Sequence, residues 1–223
     1  DIKNTVTVKT EKLFSYGFMC IFVGVMLSVF QQAVGINAVL YYAPRIFQDM
    51  GMGNPMVQTV IMGVVNISFT LVAVFTVEKL GRKPLLILGS IGMAVGALGV
   101  ALTFGNAALS TVTMISIMVY SASFMFSWGP IAWVLIAELF PNTIRGAAVA
   151  IAVAFQWIFN FIVSSTFVPM FNMHLTPGDD FGHWFTYGLY GVICILAAIF
   201  VWKLVPETKG KTLEDMSKLW RKE

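Results

Sequence analysis

Charge is scarce in this chain: 11% of its 223 residues are Asp, Glu, Lys or Arg, against roughly 25% in an ordinary soluble domain. Too few charges remain to cover a water-facing surface. Cysteine and histidine are scarcer still, with two of each. Cys20 and Cys194 both fall in apolar runs, where a thiol behaves as a small hydrophobe, so neither a disulfide nor a metal site is implied. His174 and His183 fall in a polar segment expected to be a solvated outer loop. No Asp, Glu or His stands near the centre of any apolar run, and no Ser-His-Asp, Cys-His or zinc-type spacing occurs. The chain is therefore expected to have no catalytic set, no cofactor and no metal site, and is read as a non-enzyme. The net charge of +3 is spread over short segments and a tail without interleaved aromatics, which argues against a nucleic acid partner.

What is present is apolar: 58% of the residues are hydrophobic, with a mean hydropathy of +0.82. A helix crossing a bilayer needs ~20 mostly apolar residues. Runs of that kind begin near Ser15, Val57, Leu85, Thr111, Ala147 and Tyr187, which predicts an all-α membrane protein of six spans. Residues 1–13 read as a cytoplasmic linker, 14–206 as the six-helix bundle and 207–223 as a cytoplasmic tail. Asp1 to Lys12 is polar and the first apolar run exceeds the ~7–15 residues of a signal core, so no cleavable signal is expected. Without an initiator Met the chain reads as a fragment, with processing as the alternative.

Arg45 alone among the Lys and Arg residues falls on one side of this six-span arrangement. The positive-inside rule makes the other side cytoplasmic, and both termini lie there. The expected location is the plasma membrane, crossed several times. The first span should end at Pro44, with an outer turn through Gly51, Gly53 and Pro55. Glu78 to Pro84 should form a basic inner turn. The fourth span should be interrupted at Gly129-Pro130, and the outer loop 172–183 carries Asp179 and Asp180. Thr212 and Asp215 make a capping-box-like start to a short tail helix with Leu213, Met216 and Leu219 or Trp220 on one stripe. A frayed, solvated end is the other reading of that tail.

Three uncharged amides, Gln31, Gln32 and Asn37, stand inside the first apolar run, beside Gly35 and followed by Tyr41 and Tyr42. On a regular helix Gln32 and Asn37 lie roughly 140° apart, too far to share one ligand. A break near Gly35 would bring them together and turn Asn37 and Tyr41 toward a cavity. Phe124, Trp128 and Trp133 flank Gly129-Pro130, and aromatic faces stack on the C–H side of sugars. Gln156, Trp157 and Asn160 share one face of the fifth span. Lone amides also join helices in membrane bundles, and Trp128 fits lipid contact as well as a binding wall. The clustering favours a monosaccharide site at membrane depth. The interrupted spans open each group of three, a pattern of transporter repeats. On the inner side, Glu78 with Arg82, Glu138 with Arg145, and Glu207 beside Lys209 suggest a latch between states; the alternative is weak surface pairs.

Gln31-Gln32-x-x-Gly35-x-Asn37, Gly81-Arg82-Lys83, Glu138 with Arg145, and Pro206-Glu207-Thr208-Lys209-Gly210 together resemble the sugar porters of the major facilitator superfamily. Trp128-Gly129-Pro130 with Trp133, and Gln156-Trp157, are most similar to the bacterial D-xylose/proton symporters within that family, and human glucose facilitators share much of the pattern. The resemblance implies the C-terminal half of such a porter, six transmembrane helices in a 3+3 inverted repeat. It implies that Gln31, Gln32, Asn37, Trp133 and Gln156 hydrogen-bond the sugar and that Tyr41, Phe124 and Trp157 line its pocket. It assigns Glu78, Arg82, Glu138, Arg145 and Glu207 to an inner charge network favouring the outward-facing state. The implied partners are a monosaccharide such as xylose or glucose, a proton, the lipid bilayer of a bacterial inner membrane, and an N-terminal six-helix half. Proton symport by alternating access leads; facilitated diffusion and a non-transporting sugar receptor are the competing readings. A homodimer standing in for the missing half is a further alternative.

Overall fold

The computed structural model describes residues 12–49, 54–176 and 180–221. Every regular element among them is a helix, and six stretches are long and apolar enough to cross a membrane. Gly51, Gly53 and Asp179 lie outside the described residues. The first span consists of two helices, α1 (Phe18–Ala33) and α2 (Ile36–Asp49). α3 (Pro55–Leu80) and α4 (Arg82–Thr103) follow as unbroken spans. The fourth span is again double, α5 (Ser110–Phe126) and α6 (Trp128–Leu139), entered through a 3-10 turn at Ala107–Leu109. α7 (Arg145–Phe171) and α8 (Phe181–Leu204) complete the bundle, and α9 (Leu213–Trp220) forms the tail. Three spans then three, each group opening with a broken span, is the 3+3 arrangement expected of a porter half.

Several boundaries differ from the sequence expectation, each for a local reason. α2 continues through Pro44 to Asp49, because the proline deletes only one backbone bond while Ile46 and Phe47 bury their side chains in the core. The inner turn expected over Glu78 to Pro84 shrinks to Gly81, whose φ of 90° reverses the chain in one residue. Pro84 then falls in the first turn of α4, where its missing N–H costs nothing. The break in the fourth span sits at Ser127 (φ −133°, ψ −87°), just before Gly129-Pro130, which belong to the first turn of α6.

α4 is the central post, packed mainly on α8 and α5, while α1 packs on α7. Gly89, Gly92, Gly96 and Gly99 let α4 approach Ser116, Tyr120 and Ser123 of α5 and Ser127 just past its end, the close small-residue contact by which membrane helices associate without a hydrophobic driving force. A Cβ on Gly96 would stand 2.6 Å from the Tyr120 amide nitrogen and 2.8 Å from the Ser116 carbonyl oxygen. Gly96→Ala must therefore push two backbones apart, and is expected to cost about 1–3 kcal/mol, seen as a lowered unfolding midpoint in detergent. α3 and α7 keep many apolar side chains exposed, Val60, Phe75, Ile158 and Phe161 among them, as surfaces meeting lipid or another helical half do.

The tail is an ordered helix rather than a frayed end. Thr212 Oγ1 accepts from the Asp215 amide at 3.2 Å, and Asp215 accepts the Thr212 N–H in return at 3.0 Å. Met216 is buried and Trp220 Nε1 donates to the Leu139 carbonyl at 3.1 Å, docking α9 under α6. Leu219, by contrast, is exposed. Hydrogen bonds from Thr212 hold the Asp215 carboxyl below its ordinary value of 3.8. A depressed carboxylate stabilises the helix above that ordinary value and loses its contribution as pH falls through the folded one. Circular dichroism of the intact chain should thus show the tail melting in acid below about pH 4, and Thr212→Ala should cost about 1 kcal/mol of helix stability at neutral pH.

Candidate functional site

The break in the first span is built by Val34 and Gly35. Gly35 adopts φ 86°, open to glycine at no cost, and the Tyr190 ring occupies the space where a Cβ would stand, 2.6 Å from its ideal position. The backbone ladder ends with Gly35 N–H donating to Gln32 O at 2.9 Å and restarts with Val39 N–H donating to Gly35 O at 3.2 Å. The chain therefore re-enters α2 in a new register, and Asn37 and Tyr41 turn to the same side as Gln31 and Gln32.

All eight residues expected in the pocket line one cavity of about 480 Å³: Gln31, Gln32, Asn37, Tyr41, Phe124, Trp133, Gln156 and Trp157. That volume falls within the range of about 300–1,000 Å³ typical of small-molecule sites. Four amides form one hydrogen-bonded unit with Gln31 across three helices. Gln31 Oε1 accepts from Gln32 Nε2 at 2.6 Å and from Gln156 Nε2 at 2.8 Å, while Gln32 Oε1 accepts from Asn37 Nδ2 at 2.7 Å and Asn160 Nδ2 at 2.9 Å. Gln31, Gln32, Asn37 and Gln156 thus both line the cavity and join helices. Gln31, Gln32 and Gln156 are 3–6% exposed, and Gln156 Oε1 is buried with no hydrogen-bond partner. A buried amide oxygen in that state keeps an unmet hydrogen-bonding capacity.

The aromatic wall divides by depth. Phe124 is buried at the base, whereas Tyr41 (58%), Trp133 (44%) and Trp157 (62%) stand exposed around an open side. Thr70 and Met125 also line the cavity and escaped the sequence reading. Thr70 follows Asn66 by one helical turn in α3 and donates to its carbonyl at 2.9 Å; a polar stripe on an otherwise apolar helix was the available signal. Trp128 belongs neither to the cavity nor to a lipid face. It is fully buried, and its Nε1 donates to Ser90 Oγ at 2.7 Å and to the Leu86 carbonyl at 3.1 Å, pinning α6 to α4. Tyr42 likewise turns away and stacks on Phe167.

At the other end of the bundle the expected charge pairs are rearranged. Arg82 is buried and joins Glu138 through Nε and one terminal nitrogen at 3.2 and 2.9 Å, with Glu78 at 2.9 Å. Glu138 also accepts from Thr208 Oγ1 at 2.6 Å. Arg145 does not pair with Glu138; it donates twice to the Phe140 carbonyl, at 3.2 and 3.1 Å, closing the turn between α6 and α7. Glu207 is not paired with the Lys209 ammonium either. Its carboxylate caps the start of α4 by accepting the Arg82 and Lys83 amides at 3.1 and 3.0 Å, where the helix dipole favours negative charge. Lys209 Nζ donates to the Lys79 carbonyl instead. His183 is not a loop residue: it lies in the first turn of α8, its ring 4.3 and 4.2 Å from those of Phe104 and Phe171, with Nδ1 3.3 Å from Asp180.

Six apolar spans, two of them broken beside one amide-rich, aromatic-walled cavity, define a multi-pass membrane protein. The chain belongs to the sugar (and other) transporter family, whose family model matches residues 1–220. It is 50% identical over 214 residues to the D-xylose-proton symporter of Escherichia coli K12, covering 95% of this chain and 43% of that protein. It is 41% identical over 211 residues to the glucose facilitated diffusion protein of Zymomonas mobilis, covering 94% of this chain and 44% of that one. A crystal structure of a double-tryptophan variant of XylE superposes with a TM-score of 0.87 at 49% identity, over 95% of this chain and 45% of the other. The chain spans about half the length of the curated relatives it matches.

Proposed function

We propose that this chain forms the C-terminal half of a monosaccharide porter, binding a xylose- or glucose-like sugar in the amide cavity and exposing it alternately to either side of the membrane. The observation that carries the reading is the convergence of eight polar and aromatic residues on one cavity that holds an unpartnered buried acceptor, Gln156 Oε1. Gln31, Gln32, Asn37, Trp133 and Gln156 bind hydroxyls, while Tyr41, Phe124 and Trp157 cover the apolar faces of the ring. The open side of the cavity faces an N-terminal six-helix half, which supplies the opposite wall. The exposed apolar faces of α3 and α7 support that pairing.

Proton symport is the favoured mode because the relative at 50% identity bears that name. No carboxylate lines the cavity among the described residues, so the proton-linked group belongs to the other half. The Arg82–Glu138–Glu78 cluster, with Glu207 and Arg145 at adjoining helix ends, is the inner latch of the outward-facing state. Both termini and the tail 207–223 then face the cytoplasm, the bundle being residues 14–206. The test is uptake of labelled xylose and glucose by liposomes holding the chain fused behind the N-terminal half of the E. coli symporter, with and without a pH gradient. Accumulation driven by the gradient supports symport, and equilibration alone supports facilitated diffusion. Binding without uptake returns the receptor reading; neither binding nor uptake overturns the sugar site.

A further inference from the structure

The break at Val34–Gly35 leaves a backbone carbonyl without its helical donor, and the residue that satisfies it lies on another broken span. With Gly35 at φ 86° the ladder skips Val34, and the next backbone bond past the break is accepted by Gly35 O. Val34 is fully buried, so its carbonyl cannot turn to water, and an unmet carbonyl there would favour closing the break into regular helix. Tyr120 Oη donates to it. Tyr120 is itself fully buried, seven residues before the Ser127 break, and its backbone is held against Gly96 of the central helix α4. It is thus a fixed post reaching from the second broken span to the hinge of the first. Two neighbouring buried tyrosines differ in one respect: Tyr187 Oη and Tyr190 Oη have no hydrogen-bond partner, although the Tyr190 ring packs directly on Gly35.

We infer that Tyr120 is a positioning residue for the sugar site, whose hydroxyl holds the Val34–Gly35 break open so that Asn37 and Tyr41 meet Gln31 and Gln32 across the cavity. The inference rests on the sugar-site reading above. Tyr120 touches no ligand; it acts through the register in which α2 leaves the break.

Tyr120→Phe keeps the ring and its packing and removes only the hydroxyl. In the fused porter described above, xylose and glucose dissociation constants are expected to rise roughly tenfold, the scale of one unmet buried carbonyl. Hydrogen exchange of the amides of residues 34–39, measured without sugar, should change in the same variant while exchange in α4 and α8 stays as before. Tyr187→Phe and Tyr190→Phe remove equally buried hydroxyls that bond to nothing, and both readouts should match the unmodified protein. A general packing role would instead lower protection in α4 and α8 alongside 34–39, and would overturn the proposal. So would unchanged exchange and affinity in Tyr120→Phe, or equal losses in Tyr190→Phe. If the unmodified protein binds neither sugar, the sugar reading fails and the exchange comparison still decides whether Tyr120 holds the break.

Discussion

Gln31→Ala is expected to weaken xylose or glucose binding more than any other single change in the cavity, by about 1–3 kcal/mol for each buried partner left unmet. Gln31 Oε1 accepts from both Gln32 and Gln156, so its loss strips two amides of the bond that orients them as well as removing its own group. Tenfold in affinity corresponds to about 1.4 kcal/mol, and a loss of one to two orders of magnitude should appear in isothermal titration or quenching of Trp133 and Trp157. Gln156→Ala should lose less, since it deletes one donor and an acceptor, Oε1, that has no partner to strand. Unchanged affinity in both variants would reduce the cluster to a helix-joining network. Helix packing alone predicts the opposite signature, a lowered unfolding midpoint with binding intact.

Arg82→Ala should have the largest effect on stability and on the balance of conformations. The guanidinium is buried and ties α4 to Glu138 of α6 and Glu78 of α3, while Glu138 reaches on to Thr208. Removing one partner of a buried ion pair leaves a carboxylate short of its counter-charge, a cost of about 3–5 kcal/mol when the pair is fully dry. The Glu138 side chain keeps 30% exposure and Glu78 72%, so about 3 kcal/mol, the lower end, is expected. Thermal unfolding should report that loss. In the fused porter proposed above, accessibility labelling from the proposed cytoplasmic face should increase, the result expected of a proposed latch that opens. Lys at position 82 should recover only part of it, because a point charge cannot reproduce the Nε and terminal-nitrogen grip on Glu138.

Trp128 and Trp133 are five residues apart in one motif, yet Trp128 pins α6 to α4 and Trp133 walls the cavity. Both follow the Ser127 break within α6, but at about 100° per residue they stand roughly 140° apart on the helix, so one turns to α4 and the other to the cavity. Arg145 and Glu138 sit close enough in sequence to pair, but a free carbonyl at Phe140 claims the arginine, while the carboxylate goes to an arginine more distant in sequence. Thr70 was overlooked because a hydroxyl in a membrane helix can bond its own carbonyl one turn back and so gives little sign of function.

By itself the sequence determined the six spans, the amide cluster, the need for a break near Gly35 and the family, since hydropathy, glycine φ and motif order act over short separations or are read directly as strings. The tertiary structure alone decided that Gln156 bonds Gln31, that Asn160 bonds Gln32 and that the Tyr120 hydroxyl reaches the Val34 carbonyl. Those contacts join residues from 86 to 128 positions apart. In a dry interior each polar group takes whichever partner the packing of helices brings within reach, and that packing is set by the whole bundle rather than by any one segment.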